Sequence, residues 1–192
     1  MDERHAAESS AARAIGLAWG FAEATLFFVV PDVWLGWVAL VARRAVWAVL
    51  AFTLAGALAG GAVTYAFSTA TAPETSASVM DGVPTVNRDA IARVDHEMEE
   101  HGPRSVLFGP LRMGTPYKLY GRAAGVQDES PAVFLLWSIP GRLERMLLVA
   151  LLGLVAGSVF RGWIAARPRA ALALYAAVWA AVYTVYVIRI GL

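Results

Sequence analysis

Cysteine is absent, and lysine is nearly so: of the sixteen basic residues fifteen are arginine and one is Lys118. Without cysteine there is no disulfide, no thiol nucleophile and no cysteine-built zinc or iron–sulfur site, and redox chemistry says nothing about compartment. Charge is scarce too. Charged residues are 16% of the 192-residue chain against 58% apolar, an excess too large for an ordinary soluble domain. The formal net charge is only +1 and no polybasic tail is present, so nucleic acid is not an expected partner. His96 and His101 of "HEMEEH" are five apart, whereas a zinc-protease helix needs histidines four apart with Glu between them. That segment therefore reads as a solvated helix face, with no metal or cofactor expected. No nucleophile with a histidine base is visible in the apolar segments, which argues against an enzyme. The N-terminus is mixed in charge and lacks a small-residue cleavage site, so no removable signal peptide is expected.

Long apolar runs are what the sequence does have. A helix needs roughly 20 apolar residues to cross a hydrocarbon core about 30 Å thick. Residues 45–68 and 170–190 are read as spanning helices on that ground, and 132–160 as a third, although it carries Pro140, Gly141, Arg142, Glu144 and Arg145. Residues 14–42 contain Glu23, Pro31 and Asp32, and a single helix of that length would run to about 43 Å and overshoot the membrane. Pro31 removes a donor and breaks it. Two shorter arms, with a tip at Pro31 and Asp32, put Arg13, Arg43 and Arg44 on one side, as the positive-inside bias favours. Residues 105–126 bring Gly109, Pro110, Gly114 and Pro116 into an apolar context and read as a second broken segment entering from the other side. Between the halves, 69–104 is aqueous, with an amphipathic surface helix marked by Ile91, Val94 and Met98 and stopped at Gly102–Pro103.

Each broken segment precedes a helix with two glycines four apart, Gly56 and Gly60 in the first half, Gly153 and Gly157 in the second. The fold class expected is thus an all-α integral membrane protein in one domain: two re-entrant hairpins in an inverted repeat, about three spanning helices and one short amphipathic surface helix. Paired broken segments are a pointer to a transport site near the bilayer midplane. Pro31, Pro116, Gly125 and Gly141 are the expected hairpin-forming residues.

A carboxylate at that depth must pair, face water or take up a proton, which makes Glu23 and Asp32 candidate proton or cation sites. The plainer reading is a salt bridge for Glu23 and a cap for Asp32. Arg142 and Arg145 are three apart on one helix side and deep in it, so they need anions, either protein carboxylates or a lipid phosphate. Lys118 and Arg112 are placed to line the same polar cavity, while Arg122 is expected to reach the interface along its own stem. An internal ion-pair network joining the halves accounts for the same residues.

Three ordered stretches, "WGFAEATLFFVVPDVWLGWVAL", "PYKLYGRAAGV" and "IPGRLERM", resemble the YqaA branch of the DedA, or VTT (SNARE-associated), membrane proteins. The resemblance covers roughly residues 19–158 and rests on Glu23, Pro31–Asp32, Pro116–Tyr117–Lys118, Ala123–Val126, Gly141, Arg142 and Arg145. It implies two hairpins meeting inside a multi-pass protein of the plasma (cell inner) membrane, and lipid movement, in some relatives proton-dependent. Membrane lipid and protons are the partners implied; self-association is left open. Lys118 stands where the main group carries Arg, and a lysine point charge does not reproduce a bidentate phosphate grip.

Overall fold

Apolar stretches fold here as helices: Pro31 and Pro116 stand just before helices, while Pro140 and most of the glycines of these stretches lie inside them. The computed structural model describes residues 3–84, 86–111 and 115–190, and no strand occurs among the described residues. In chain order the helices are α1 (Glu3–Thr25), α2 (Asp32–Val41), α3 (Val46–Ala70), α4 (Pro73–Asp81) and α5 (Arg88–His101). A 3-10 turn (Gly102–Leu107) leads into α6 (Phe108–Leu111), α7 (Tyr117–Val126), α8 (Pro131–Val159), α9 (Arg161–Ala166) and α10 (Pro168–Ile190). Among the described residues two helices are long and apolar enough to cross a membrane, Val46–Ala70 and Pro168–Ile188.

Glycine sets the close contacts. A Cβ on Gly16 would meet Val49 and Thr53, one on Gly20 would meet Thr53 and Ala57, and one on Gly60 would meet Phe21 and Ala24. Contact positions rise together along α1 and α3, so these helices run the same way. The chain between them must therefore double back, which it does through residues 26–31 and α2. The Trp34 indole N–H donates to the Ala12 carbonyl at 3.0 Å, tying the returning arm to the outgoing one. By the same reasoning α2 runs parallel to α8, because Gly153 sits against Gly36 and Ala39, and Gly157 against Leu40. Likewise α7 runs parallel to α3, with Gly121 against Gly61 and Thr64, and Gly125 against Tyr65 and Ser68. Both glycine pairs read from the sequence are thus used inside the chain.

Several details differ from the sequence expectation. The polypeptide turns at residues 26–31 rather than at Pro31–Asp32; Pro31 caps α2 and Asp32 is its first residue. Pro116 caps α7 in the same manner. Gly125 and Gly141 turn nothing: they lie inside α7 and α8 and allow close approach, Gly141 to Val106 of the 3-10 turn. Pro140 likewise leaves α8 continuous over 29 residues. The aqueous segment holds two helices where one was expected, because Pro73 at the first turn starts α4. In α5 the side chain of Asn87 accepts from the Ala90 N–H at 2.8 Å, and Gly102 ends the helix with φ of 61°.

Two apolar clusters result. One gathers Ala24, Met80, Ile91, Val94, Met98, Tyr120 and Phe134; the other gathers Leu35, Val46, Val49, Ala57, Met146 and Ala150. On α8 the buried Arg142 falls between Phe134 of the first cluster and Met146 of the second. A polar layer therefore separates them.

A Cβ on Gly56 would strike the Leu17 backbone, whereas Gly162 has nothing within 4 Å. Gly56→Ala is expected to cost about 1–3 kcal/mol, while Gly162→Ala leaves stability unchanged or slightly raised, as denaturant unfolding in detergent will read.

Candidate functional site

On α1 the buried positions Gly16, Gly20, Glu23 and Ala24 form one helical stripe, so the packing that seats α1 on α3 also carries Glu23 inward. On α8 the stripe Phe134, Ser138, Gly141, Arg142 and Met146 does the same for Arg142. The two meet: Arg142 Nη2 donates to Glu23 Oε2 at 2.6 Å, with only 4% of Glu23 and 7% of Arg142 exposed. Arg145, at the edge of that stripe, lies with its Nε 2.7 Å from Asp32 Oδ2; its side chain is 36% exposed while Asp32 is buried. The Arg142 guanidinium also lies 4.9 Å from the ring centroid of Tyr117, a cation–π contact.

Lys118 approaches from α7. It is 1% exposed, and its ammonium donates to the Phe27 carbonyl at 2.7 Å. Phe27 belongs to the break between α1 and α2, so the cation at the start of α7 caps an open carbonyl of the other half. Other polar groups of this break are also engaged. Trp19 donates to the Val29 carbonyl at 2.9 Å and the Val30 N–H donates to the Tyr183 hydroxyl at 2.8 Å; just beyond, in the first turn of α2, the Val33 carbonyl accepts from Tyr175 at 2.7 Å. Tyr183 of α10 thus turns its hydroxyl onto the break. The side chains of Leu26, Phe27 and Phe28 project outward meanwhile. A backbone without helical bonds persists in an apolar setting only when served in this way.

Beside the arginines is a cavity of about 20 Å³, room for about one water, lined by Thr115, Tyr117, Tyr120, Gly141, Arg142 and Arg145 among others. Asp32 Oδ1 and Arg142 Nε are buried without a hydrogen-bond partner, so the centre has bonding capacity it does not use. Of the expected residues, then, Glu23, Asp32, Lys118, Arg142 and Arg145 come together. Arg112 lies outside the described residues. Glu144, also within reach by sequence, is exposed and joins no ion pair among the described residues.

Arg122 corrects an expectation. It does not extend to the interface; it is buried and forms a fork on Asp95 at 2.7 and 2.9 Å, and donates to the Pro73 carbonyl at 3.2 Å. Tyr120 donates to the buried Glu97 at 3.0 Å. Glu97 thereby corrects the reading of "HEMEEH" as a solvated helix face: it is buried, three residues after Val94 on the apolar stripe of α5.

No protein-family model, no curated protein and no solved structure matches the chain.

Removing one partner of a buried pair strands the other. Arg142→Ala is expected to cost about 3–5 kcal/mol, and the double change Glu23→Leu with Arg142→Met to cost much less than the sum of the singles. A double-mutant cycle on unfolding in detergent measures it; additive losses would contradict a direct pair.

Proposed function

We propose that this chain is a multi-pass protein of the plasma membrane that moves an anionic phospholipid head group past a polar centre at mid-depth, with protons as the coupling ion. The observation that carries the reading is the Glu23–Arg142 pair, an acid of the first half held by a cation of the second in a buried layer between two apolar clusters.

The membrane setting is supported by surface chemistry. Large apolar side chains stand exposed along α8 and α10, among them Leu148, Leu152, Val155, Val159, Leu174, Val178 and Ile188. Lipid covers such a surface; water does not. In this setting α3, α8 and α10 span, and the charges of α8 that lie deepest turn inward. α1 with α2, and residues 102–111 with α7, are the two re-entrant hairpins. An inverted repeat is supported by a packing rule common to both halves: the first arm lies on its own spanning helix, and the second arm lies parallel to the other half's spanning helix. The basic end, with Arg43, Arg44, Arg161, Arg167 and Arg169, faces the cytoplasm, and the acidic α5 lies outside.

Transfer follows from exchange at the arginines. With Glu23 and Asp32 ionised, both guanidiniums are satisfied and the centre is closed. A proton arriving on either carboxylate removes its charge, and the freed guanidinium fork takes a phosphate instead. Loss of that proton restores the internal pair and expels the head group. Arg145 and Glu144, the more exposed charges of α8, mark the side from which water and head group enter. The resemblance to the YqaA branch of DedA proteins agrees with this account. The competing reading, a static network that only fastens the halves, is favoured by the small cavity.

Reconstitution in liposomes separates them. Wild-type protein is expected to move anionic phospholipid between leaflets, faster when the loading side is acidified; Arg142→Ala slows this by about 10–100-fold, the worth of one charge-assisted bond. Glu23→Gln abolishes the pH dependence. Transfer unchanged in both variants removes the proposed roles. For orientation, thiols introduced by Arg43→Cys and Gly162→Cys are expected to label from one membrane face and Glu99→Cys from the other; labelling of Arg43→Cys and Glu99→Cys from the same face would refute the arrangement.

A further inference from the structure

Helix α7 is held from both ends by different parts of the molecule. At its start Tyr117 lies over Arg142 and Lys118 caps Phe27, both in the buried centre. One turn later Tyr120 and Arg122 reach Glu97 and Asp95 of α5. Arg122 makes a two-pronged grip on Asp95, and Gln127 donates to the Asp95 backbone carbonyl at 2.8 Å, so one residue of α5 anchors α7 through both its side chain and its main chain. Tyr120 also lines the cavity beside the two arginines while its hydroxyl is bound to Glu97.

From these juxtapositions we infer that the aqueous segment is a clamp on the central site: Asp95 and Glu97 act as positioning residues that hold α7 at the depth where Lys118 reaches the first chain break. The argument is geometric. Lys118 and Arg122 are four residues apart on one rigid helix, about 6 Å along its axis, so the position of one fixes that of the other. Arg122 is buried and its charge is met by Asp95, so α7 cannot slide or rotate without exposing or stranding that guanidinium. α5 in turn is bound by its own apolar stripe, Ile91, Val94 and Met98, packed in the same cluster as Tyr120. The aqueous acids thereby set the geometry of cations they do not touch. In transfer, release of this clamp would loosen the Lys118 end of α7 beside Arg142 and Arg145, the rest of the helix staying seated on α3.

The role in transfer rests on the proposed function, but the clamp itself is testable without it. Lys118 is the only lysine, so apart from the N-terminal amine an amine-reactive acylating reagent has one target, which peptide mass spectrometry can follow. In wild-type protein in detergent or nanodiscs, acylation of Lys118 is expected to be slow relative to the Met1 amine. Asp95→Asn is expected to raise its rate several-fold at constant pH, Asp95→Glu to bring it back towards wild type, and Asp89→Asn, on the exposed face of α5, to leave it unchanged. Tyr120→Phe keeps the ring and deletes one hydrogen bond; it is expected to change the rate in the same direction by less, and its result decides the matter if Asp95→Asn does not fold. A folded Asp95→Asn protein with the wild-type rate overturns the clamp, as does an equal rise in Asp89→Asn. If Lys118 responds as stated while no variant moves lipid, the clamp stands and the transfer reading falls.

Discussion

A helix that stops and reverses inside an apolar layer leaves carbonyls and N–H groups with no partner of their own, and the cost of each is comparable to a lost hydrogen bond without water to replace it. The break at residues 26–31 meets this constraint with side chains from three other helices. Trp19 serves from α1, Lys118 from α7 and Tyr183 from α10, while Tyr175 of α10 bonds the Val33 carbonyl in the first turn of α2. Once such groups are gathered, a polar layer exists, and Glu23 with Arg142 and Asp32 with Arg145 occupy it as neutralising pairs. The site is in this sense a consequence of breaking the backbone: the same groups that make a break tolerable also make a place where charge can be held.

Close packing of small residues delivers these groups to one place. Two parallel helices joined by a short link need a return arm, and α1 with α3 can lie parallel because Gly16, Gly20, Gly56 and Gly60 let their backbones approach. The same device recurs where α2 meets α8 through Gly36, Gly153 and Gly157, and where α7 meets α3 through Gly121 and Gly125. Such interfaces are rigid, since backbone rather than flexible side chain forms them. Side chains rather than backbone make the contacts of α7 with α5 and of α10 with residues 30 to 33.

Much of this was legible in the sequence where composition forces a physical conflict. Glu23, Asp32, Arg142 and Arg145 stood out because charges in greasy stretches demand partners, and their opposite signs fell in opposite halves. Pro31 and Pro116 each stand just before a helix, where proline is tolerated, whereas Pro140, which looks the same in sequence, leaves α8 unbroken. Other features were not legible because their signal is positional. Gly125 and Gly141 look like turn residues yet serve inside helices, where only the neighbouring backbone reveals their use. Lys118 was expected near an anion, and its observed partner is a carbonyl, a group every residue carries. Arg122, read as an arginine reaching for the interface, found Asp95 across a stretch of chain that looks merely aqueous. Glu97 was within reach of the sequence, since an acid on an apolar stripe is the same kind of conflict as Glu23.

Acids of the first half and arginines of the second face each other in a buried layer between two apolar clusters. The absence of native cysteine allows a direct check in native membranes: Glu23→Cys with Arg142→Cys, treated with a short bifunctional thiol reagent able to span the length two such side chains bridge. The account predicts an intramolecular cross-link in high yield, with neither thiol reached by a membrane-impermeant reagent. Absence of the cross-link, or free reaction of both cysteines with the impermeant reagent, would contradict it.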